Sequence, residues 1–166
     1  HDRIQQSAYS LIPAALRQTT HLEIGRRMLA NLSPEAIEER IFDIVNQFNL
    51  GSTALMDREE RFQIARLNLL AGRRSKTSSA HDLALASFVQ GIRQTDEAGW
   101  ETHYALMHDL HKELAVALYV NSDYAGSQRQ IDILLQRART NLDRAELLNI
   151  LIIEYTLTGR YHDALQ

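Results

Sequence analysis

The sequence predicts an all-α fold in which helix hairpins stack side by side, and three observations point to it. The first is a pattern that returns. Leu114-Ala115, Leu118-Tyr119, Ser122-Asp123-Tyr124, Ser127, Ile131 and Leu134 read as one hairpin, and Leu151-Ile152, Tyr155, Gly159-Arg160-Tyr161 and Ala164 repeat its opening at the same offsets 37 residues later. Self-similarity at such a period marks units that bury their apolar face only against their neighbours. The second is apolar residues recurring at three- and four-residue spacing, with no stretch alternating as a strand would. The third is a scarcity of breakers: two prolines and seven glycines leave room for long helices.

Taken in order, two helices precede Asn31, at about 2–12 and 13–31. Ser33 can cap the next, Pro34 has no amide to leave unpaired in its first turn, and Glu35 suits its positive end. Ile37, Ile41, Ile44, Val45 and Phe48 then share one face, and Gly51 stands where a left-handed stop is expected. Asp57 with Glu60 reads as a capping box. The helix behind it carries Phe62, Ile64, Ala65, Leu67, Leu69 and Leu70, a surface broad enough to be buried on two sides. Arg73-Arg74-Ser75-Lys76 places cations at its C-terminus. Ser78 or Ser79 restarts the chain ahead of Leu83, Ala84, Ala86, Phe88, Val89 and Ile92. Thr95 to Gly99 is a polar connector. Trp100 to Val120 reads as one long helix, Asp123 to Thr140 as its return partner, and Asp143 to Thr158 as the next.

Composition limits the function. The 166 residues carry 18 basic and 21 acidic side chains, interspersed, for a net charge of -3. No basic stripe forms, so no nucleic-acid partner is expected. The absence of cysteine excludes disulfides and thiolate metal sites and fits a cytoplasmic location. The longest apolar stretch, Leu147 to Tyr155, is broken by Asn149 and Glu154 and falls short of the roughly 18 residues a membrane span needs. The chain lacks an initiator Met and stops at Ala164-Leu165-Gln166 as a helix opens, so both ends read as cuts in a longer protein.

The hairpin pattern resembles the tetratricopeptide family, in which small residues sit where two antiparallel helices approach and an aromatic fills the space near the turn. Gly72, Ala84 and Phe88 match its first-helix small, second-helix small and second-helix aromatic positions. Ala115, Ser127 and Ile131 follow in the next unit, then Ile152 and Ala164, with Tyr155 and Tyr161 as aromatics and Gly159 at the turn. The small positions are separated by 43 and then 37 residues, against a family repeat of about 34. The resemblance implies a tetratricopeptide-like, right-handed α-solenoid with long helices and irregular geometry.

A second resemblance runs along nearly the whole chain. The opening HDRIQQSAYSLIP, then Arg17, His21-Leu22 and Ile24-Gly25-Arg26, with IFDIVNQFNLG, RLNLLAGRRSKTSSA and WETHYALMHDLHKELAVALYVNSDY, is similar to the region following the STAND-type ATPase of large bacterial signalling kinases. Those proteins combine serine/threonine kinase-like, ATPase, helical-repeat, GAF and histidine kinase modules. The resemblance implies that residues 1–31 finish a winged-helix-like element and that 32–166 form the repeats. His1-Asp2 matches a nucleotide-sensing pair of such ATPases, but no GxxxxGK[ST] loop accompanies it here.

No catalytic constellation stands out. His103, His108 and His111 share one predicted helix, but inter-helix hydrogen bonding by His111 is favoured over a metal site. His81-Asp82 and His108-Asp109 read as surface pairs. Glu38, Glu39, Asp57, Glu59 and Glu60 read as helix-start or solvated charges. Trp100 and Tyr104 are the candidate partner-facing aromatics, with core packing as their default use. The expectation is a non-enzymatic scaffold or interaction segment of a multidomain signalling kinase, with no cofactor or metal. Its partners would be proteins or neighbouring domains of the same chain. Two alternatives are a small-molecule sensor, its groove lined by Tyr104, Tyr119, Tyr124 and Tyr155, and a regulatory domain of a STAND-ATPase transcription regulator.

Overall fold

The computed structural model describes residues 13–54 and 57–157. Among the described residues every regular element is helical: α1 (Ala14–Asn31), α2 (Pro34–Glu39), α3 (Ile41–Gly51), a 3-10 turn (Ser52–Ala54), α4 (Arg58–Thr77), α5 (His81–Arg93), α6 (Gly99–Thr102), α7 (Tyr104–Val120), α8 (Tyr124–Arg137) and α9 (Asn141–Leu157). α1 packs on α3, α4 on α5, α7 on α8, and α5 also on α7. The pairs are antiparallel: Gly72 meets Phe88 near the α4–α5 turn, while Arg61 reaches the carbonyls of Arg93 and Gln94 at the far end. α4 and α7 run parallel, since Phe62 stacks on His103 at one end and Lys76 meets Glu113 towards the other.

Side-chain caps set several helix starts. Ser33 Oγ accepts from the Ala36 amide, Asp57 Oδ1 from Glu60 and Asp123 Oδ1 from Gly126. The capping box at Asp57 is only half closed, because the Glu60 carboxylate turns away to Arg26 at 2.6 and 2.7 Å. A reciprocal box forms instead at α9. Thr140 Oγ1 accepts from the Asp143 amide at 3.0 Å, and Asp143 Oδ2 accepts from the Thr140 amide at 3.2 Å. Helix α9 therefore opens two residues ahead of the Asp143 start that its sequence suggests.

Three boundaries differ from expectation for identifiable reasons. The face from Ile37 to Phe48 belongs to two helices, because Arg40 sits at φ -103°, ψ 19° and bends the chain between α2 and α3. Ile41, Ile44 and Phe48 thereby reach the core, and Ile37 stays half-buried. Trp100 to Val120 is likewise interrupted, at His103 (φ -135°, ψ 42°), whose ring lies flat on Phe62 at 4.0 Å. Gly51 is the last residue of α3 rather than a left-handed stop. Its lack of a side chain serves packing, since a Cβ there would lie 2.7 Å from Leu22 Cγ and 2.8 Å from the Gln18 carbonyl oxygen.

Helix α4 feeds two cores, as the breadth of its apolar surface implies. Phe62, Ala65 and Leu69 join Phe88, Trp100, Leu110, Leu114, Leu134 and Leu147 on one side. Ile64 joins Leu22 of α1 with Ile44 and Phe48 of α3 on the other. Each fully buried large apolar side chain contributes roughly 1.5–3 kcal/mol relative to exposure.

Candidate interaction surface

Gly72, Ala84, Phe88, Ala115, Ser127 and Ile131 are all buried where helices pack. Gly72 lies under the Phe88 ring, and a Cβ there would sit 2.6 Å from Cδ1 and 2.7 Å from Cζ. Ala84 is buried beside this contact. In the next hairpin Ala115, Ser127 and Ile131 are all fully buried. Tyr155 is half-buried and its hydroxyl donates to Gln128 Oε1 at 2.8 Å. Gly159, Tyr161 and Ala164, like His1 and Asp2, lie outside the described residues.

The turns repeat as well. Ser79 and Ser122, 43 residues apart, both adopt the left-handed conformation, at φ 58° and 65°. Behind each, the chain closes the same pair of hydrogen bonds: Ala80 to Ser75 and Ser79 to Lys76, then Asp123 to Leu118 and Ser122 to Tyr119. This is the Schellman arrangement, with serine where glycine is the usual residue. The polar helix-restart residues of the sequence thus act as helix stops.

Trp100 packs inside the chain, the default use expected for it. It is 3 % exposed, lies 5.1 Å from the His111 ring, and belongs to the main core. The bend at His103 turns it inward. Tyr104 is half-buried and committed within the chain: its hydroxyl donates to Asp143 Oδ2 at 2.8 Å, and the Arg139 guanidinium covers its ring at 4.2 Å. Arg139 also reaches the Trp100 carbonyl at 2.6 Å, clamping the α8–α9 link onto α6 and α7. Burial, then the Asp143 hydrogen bond, raises the Tyr104 hydroxyl above its ordinary pKa. Hydrogen bonds from Thr140 and Tyr104 lower the Asp143 carboxyl to about 2.

The tyrosines do not converge on one groove. Tyr104 and Tyr119 stand at opposite ends of α7, about 22 Å apart at 1.5 Å per residue. Tyr119 instead pairs with Tyr124, ring centres 5.4 Å apart. The histidines are also dispersed by function. His103 stacks on Phe62, His108 is buried beside Tyr104, and His111 Nδ1 shares a hydrogen bond with Gln130 across to α8 at 2.7 Å. His108-Asp109 is therefore no surface pair, whereas His81 and Asp82 are exposed at the start of α5. Among the described residues no three His, Asp or Glu side chains gather as a metal site would need.

Sequence reasoning missed two features. The first is a series of charged ties between successive hairpins. Arg26 holds Glu60, Arg73 bridges Asp109 and Glu113 at 2.8 Å each, Lys76 adds a 2.5 Å contact to Glu113, and Lys112 holds Glu146 at 2.9 Å. Burial works to raise the Glu113 carboxyl, but hydrogen bonds from Lys76 and Arg73 outweigh it and hold the group below its ordinary value. The basic run at the end of α4 thus ties α4 to α7 as well as easing the helix dipole. Its spacing hinted at this: Arg73 and Lys76 are three apart, on one helix face.

The second feature is a groove of about 320 Å³ between α3 and α5, lined by Phe42, Val45, Asn46, Asn49, Leu83 and Gln90 among others. Phe42 is 42 % and Leu83 61 % exposed, apolar side chains at the groove's rim beside the amides of Asn46 and Gln90, while the Asn49 amide is paired in both directions with Asn68 at 3.0 and 3.1 Å. The apolar run that contains Leu83 gives no sign that its side chain is left uncovered.

Comparison with known proteins gives a limited result. The chain is 25 % identical over 190 aligned residues to a hybrid signal transduction histidine kinase of Dictyostelium discoideum. The alignment takes in all of this chain but only 6 % of that protein, so the chain spans a small part of its relative's length. No family model matches the chain, and no solved structure matches it. Among the described residues no helix is long and apolar enough to cross a membrane.

Proposed function

We propose that this chain is a non-catalytic, tetratricopeptide-like scaffold segment of a multidomain signal-transduction kinase, holding neighbouring domains or a protein partner. The observation that carries this reading is similarity along the whole chain to a small part of a histidine kinase. The helix arrangement is in keeping with it: antiparallel hairpins whose first helices α4 and α7 run parallel, with crossings at Gly72–Phe88 and Ala115–Ile131. The rim of the α3–α5 groove, Phe42 and Leu83 beside Asn46, Asn49 and Gln90, is the surface assigned to the partner.

Calorimetric titration of the chain with each neighbouring domain of its parent kinase tests the proposal. Saturable binding that is lost in a Phe42→Ser, Leu83→Ser double variant is the expected result. Absence of binding to every neighbouring domain and to every candidate protein partner titrated in the same way overturns it.

A further inference from the structure

Two histidines of α7 are buried at its packed face: His108 is 8 % and His111 7 % exposed. Three residues apart, they are neighbours on the helix. His111 Nδ1 meets Gln130 Oε1 of α8 at 2.7 Å. A carbonyl oxygen only accepts, so Nδ1 carries the hydrogen and any further proton goes to Nε2. The same ring stacks on Trp100, centres 5.1 Å apart. Next to it, His108 Nε2 is buried with no hydrogen-bond partner, beside the Tyr104 ring. Burying a charge is costly unless it is paired. The charged groups on the packed elements are already matched to one another. Glu97 of the connector holds Arg137 of α8, whose guanidinium lies over the Trp100 ring at 5.9 Å. Glu101 of α6 holds Arg139, and Asp143 of α9 takes the Tyr104 hydroxyl. On α7 itself Asp109 and Glu113 belong to Arg73 of α4, and Lys112 belongs to Glu146 of α9. α5 brings Val89 and Ile92 to this core.

We propose that His111 is a proton-operated latch between α7 and α8. With a neutral ring it holds Gln130 and keeps the hairpin closed. A proton on Nε2 puts a charge beside the crossing where Ala115, Ser127 and Ile131 are fully buried, and α8 is released from α7. Burial holds the His111 ring below its ordinary value of 6.5, and the like charge of His108 acts in the same direction. The Gln130 hydrogen bond and Glu97 oppose them without prevailing. The Trp100 face also attracts a cation, but Arg137 already lies over that ring. A depressed folded pKa gives stability that is complete above the unfolded value and is lost as pH falls through the folded one. The latch therefore holds at neutral pH and gives way in mildly acidic solution. Asp143, which titrates at about 2, is silent in that range.

The chain has a single tryptophan, and it lies on the latch, so its fluorescence reports there directly. Trp100 emission and urea unfolding of the whole chain are followed from about pH 8 to about pH 5. The expected result is one emission step with its midpoint below 6.5, the ordinary histidine value. With it, the unfolding constant should rise several-fold between about pH 7.5 and about pH 5.5, roughly tenfold being the limit for one proton. His111→Gln is expected to abolish both changes, whereas His81→Gln, at an exposed position, should keep them. Ring-resolved NMR titration of the wild-type histidines decides the matter even where His111→Gln fails to fold. A His111 midpoint at or above 6.5 overturns the latch. So does an unfolding constant that is flat across the range, or a loss of stability that persists undiminished in His111→Gln.

Discussion

Gly72 and Phe88 form the tightest crossing of the α4–α5 hairpin: the ring occupies the space a side chain on residue 72 would need. Glycine inside a helix costs about 1 kcal/mol in propensity relative to alanine. Here the helix tolerates that cost because the fully buried Phe88 ring needs the space. Gly72→Ala is therefore expected to destabilise by about 1–3 kcal/mol despite its better helix propensity. Phe88→Ala should cost about 3–5 kcal/mol. Urea unfolding of both variants checks this, and a stabilised Gly72→Ala would show that the ring can move.

Ser79 and Ser122 carry the opposite expectation. Both are exposed, and their left-handed backbone is unfavourable for any residue with a Cβ. Replacing either with glycine should stabilise the chain by about 0.5–1 kcal/mol, the relief exceeding the added entropy of the unfolded chain. Ser79→Val and Ser122→Val should destabilise it. Thermal unfolding of the four variants gives the signs.

The Arg73–Glu113–Lys76 tie joins a largely buried carboxylate to two half-exposed cations. A double-mutant cycle of Arg73→Met and Glu113→Gln is expected to give a coupling of about 0.5–1 kcal/mol at low salt. The coupling should shrink at about 1 M salt, where screening acts within a few ångströms. A coupling indistinguishable from zero at low salt would mean that Lys76 alone satisfies Glu113.

Acid should loosen the start of α9. The Asp143 carboxyl titrates at about 2 in the folded chain against an ordinary 3.8. A group whose folded pKa is depressed adds stability that is fully present above its unfolded pKa and disappears as pH falls through the folded one. The Asp143 contribution is thus complete above about pH 5 and fades towards pH 2. Wild-type and Asp143→Asn melting temperatures should differ most at neutral pH and converge near pH 2. A constant gap across that range would rule out titration of Asp143 as the cause.

Much of the architecture can be read from residues alone, because the strongest local signals were chemical. Ser33-Pro34, Asp57 and Asp123 each supply an acceptor for an unpaired helix amide, and each caps where its spacing implies. The pattern at Leu114 to Tyr124 likewise locates the α7–α8 turn. What escaped was decided by partners distant in sequence. The breaks at Arg40 and His103 follow from which side chains the neighbouring helices can accommodate, and Phe62, 41 residues from His103, gives no local sign of stacking on it. Core packing is the default use read for Trp100 and its burial agrees with it, whereas the partner-facing alternative comes from a helix-start position visible without the bend that turns the ring inward. Leu83 reads as part of an apolar run for a related reason, since periodicity shows a face but not whether anything lies against it.

The ties from Arg26 to Glu60, from Arg73 to Asp109 and from Lys112 to Glu146 join α1 to α4, α4 to α7 and α7 to α9. A pull applied at the two ends of such a chain meets its links in series. The weakest junction then sets the force at which the helices part.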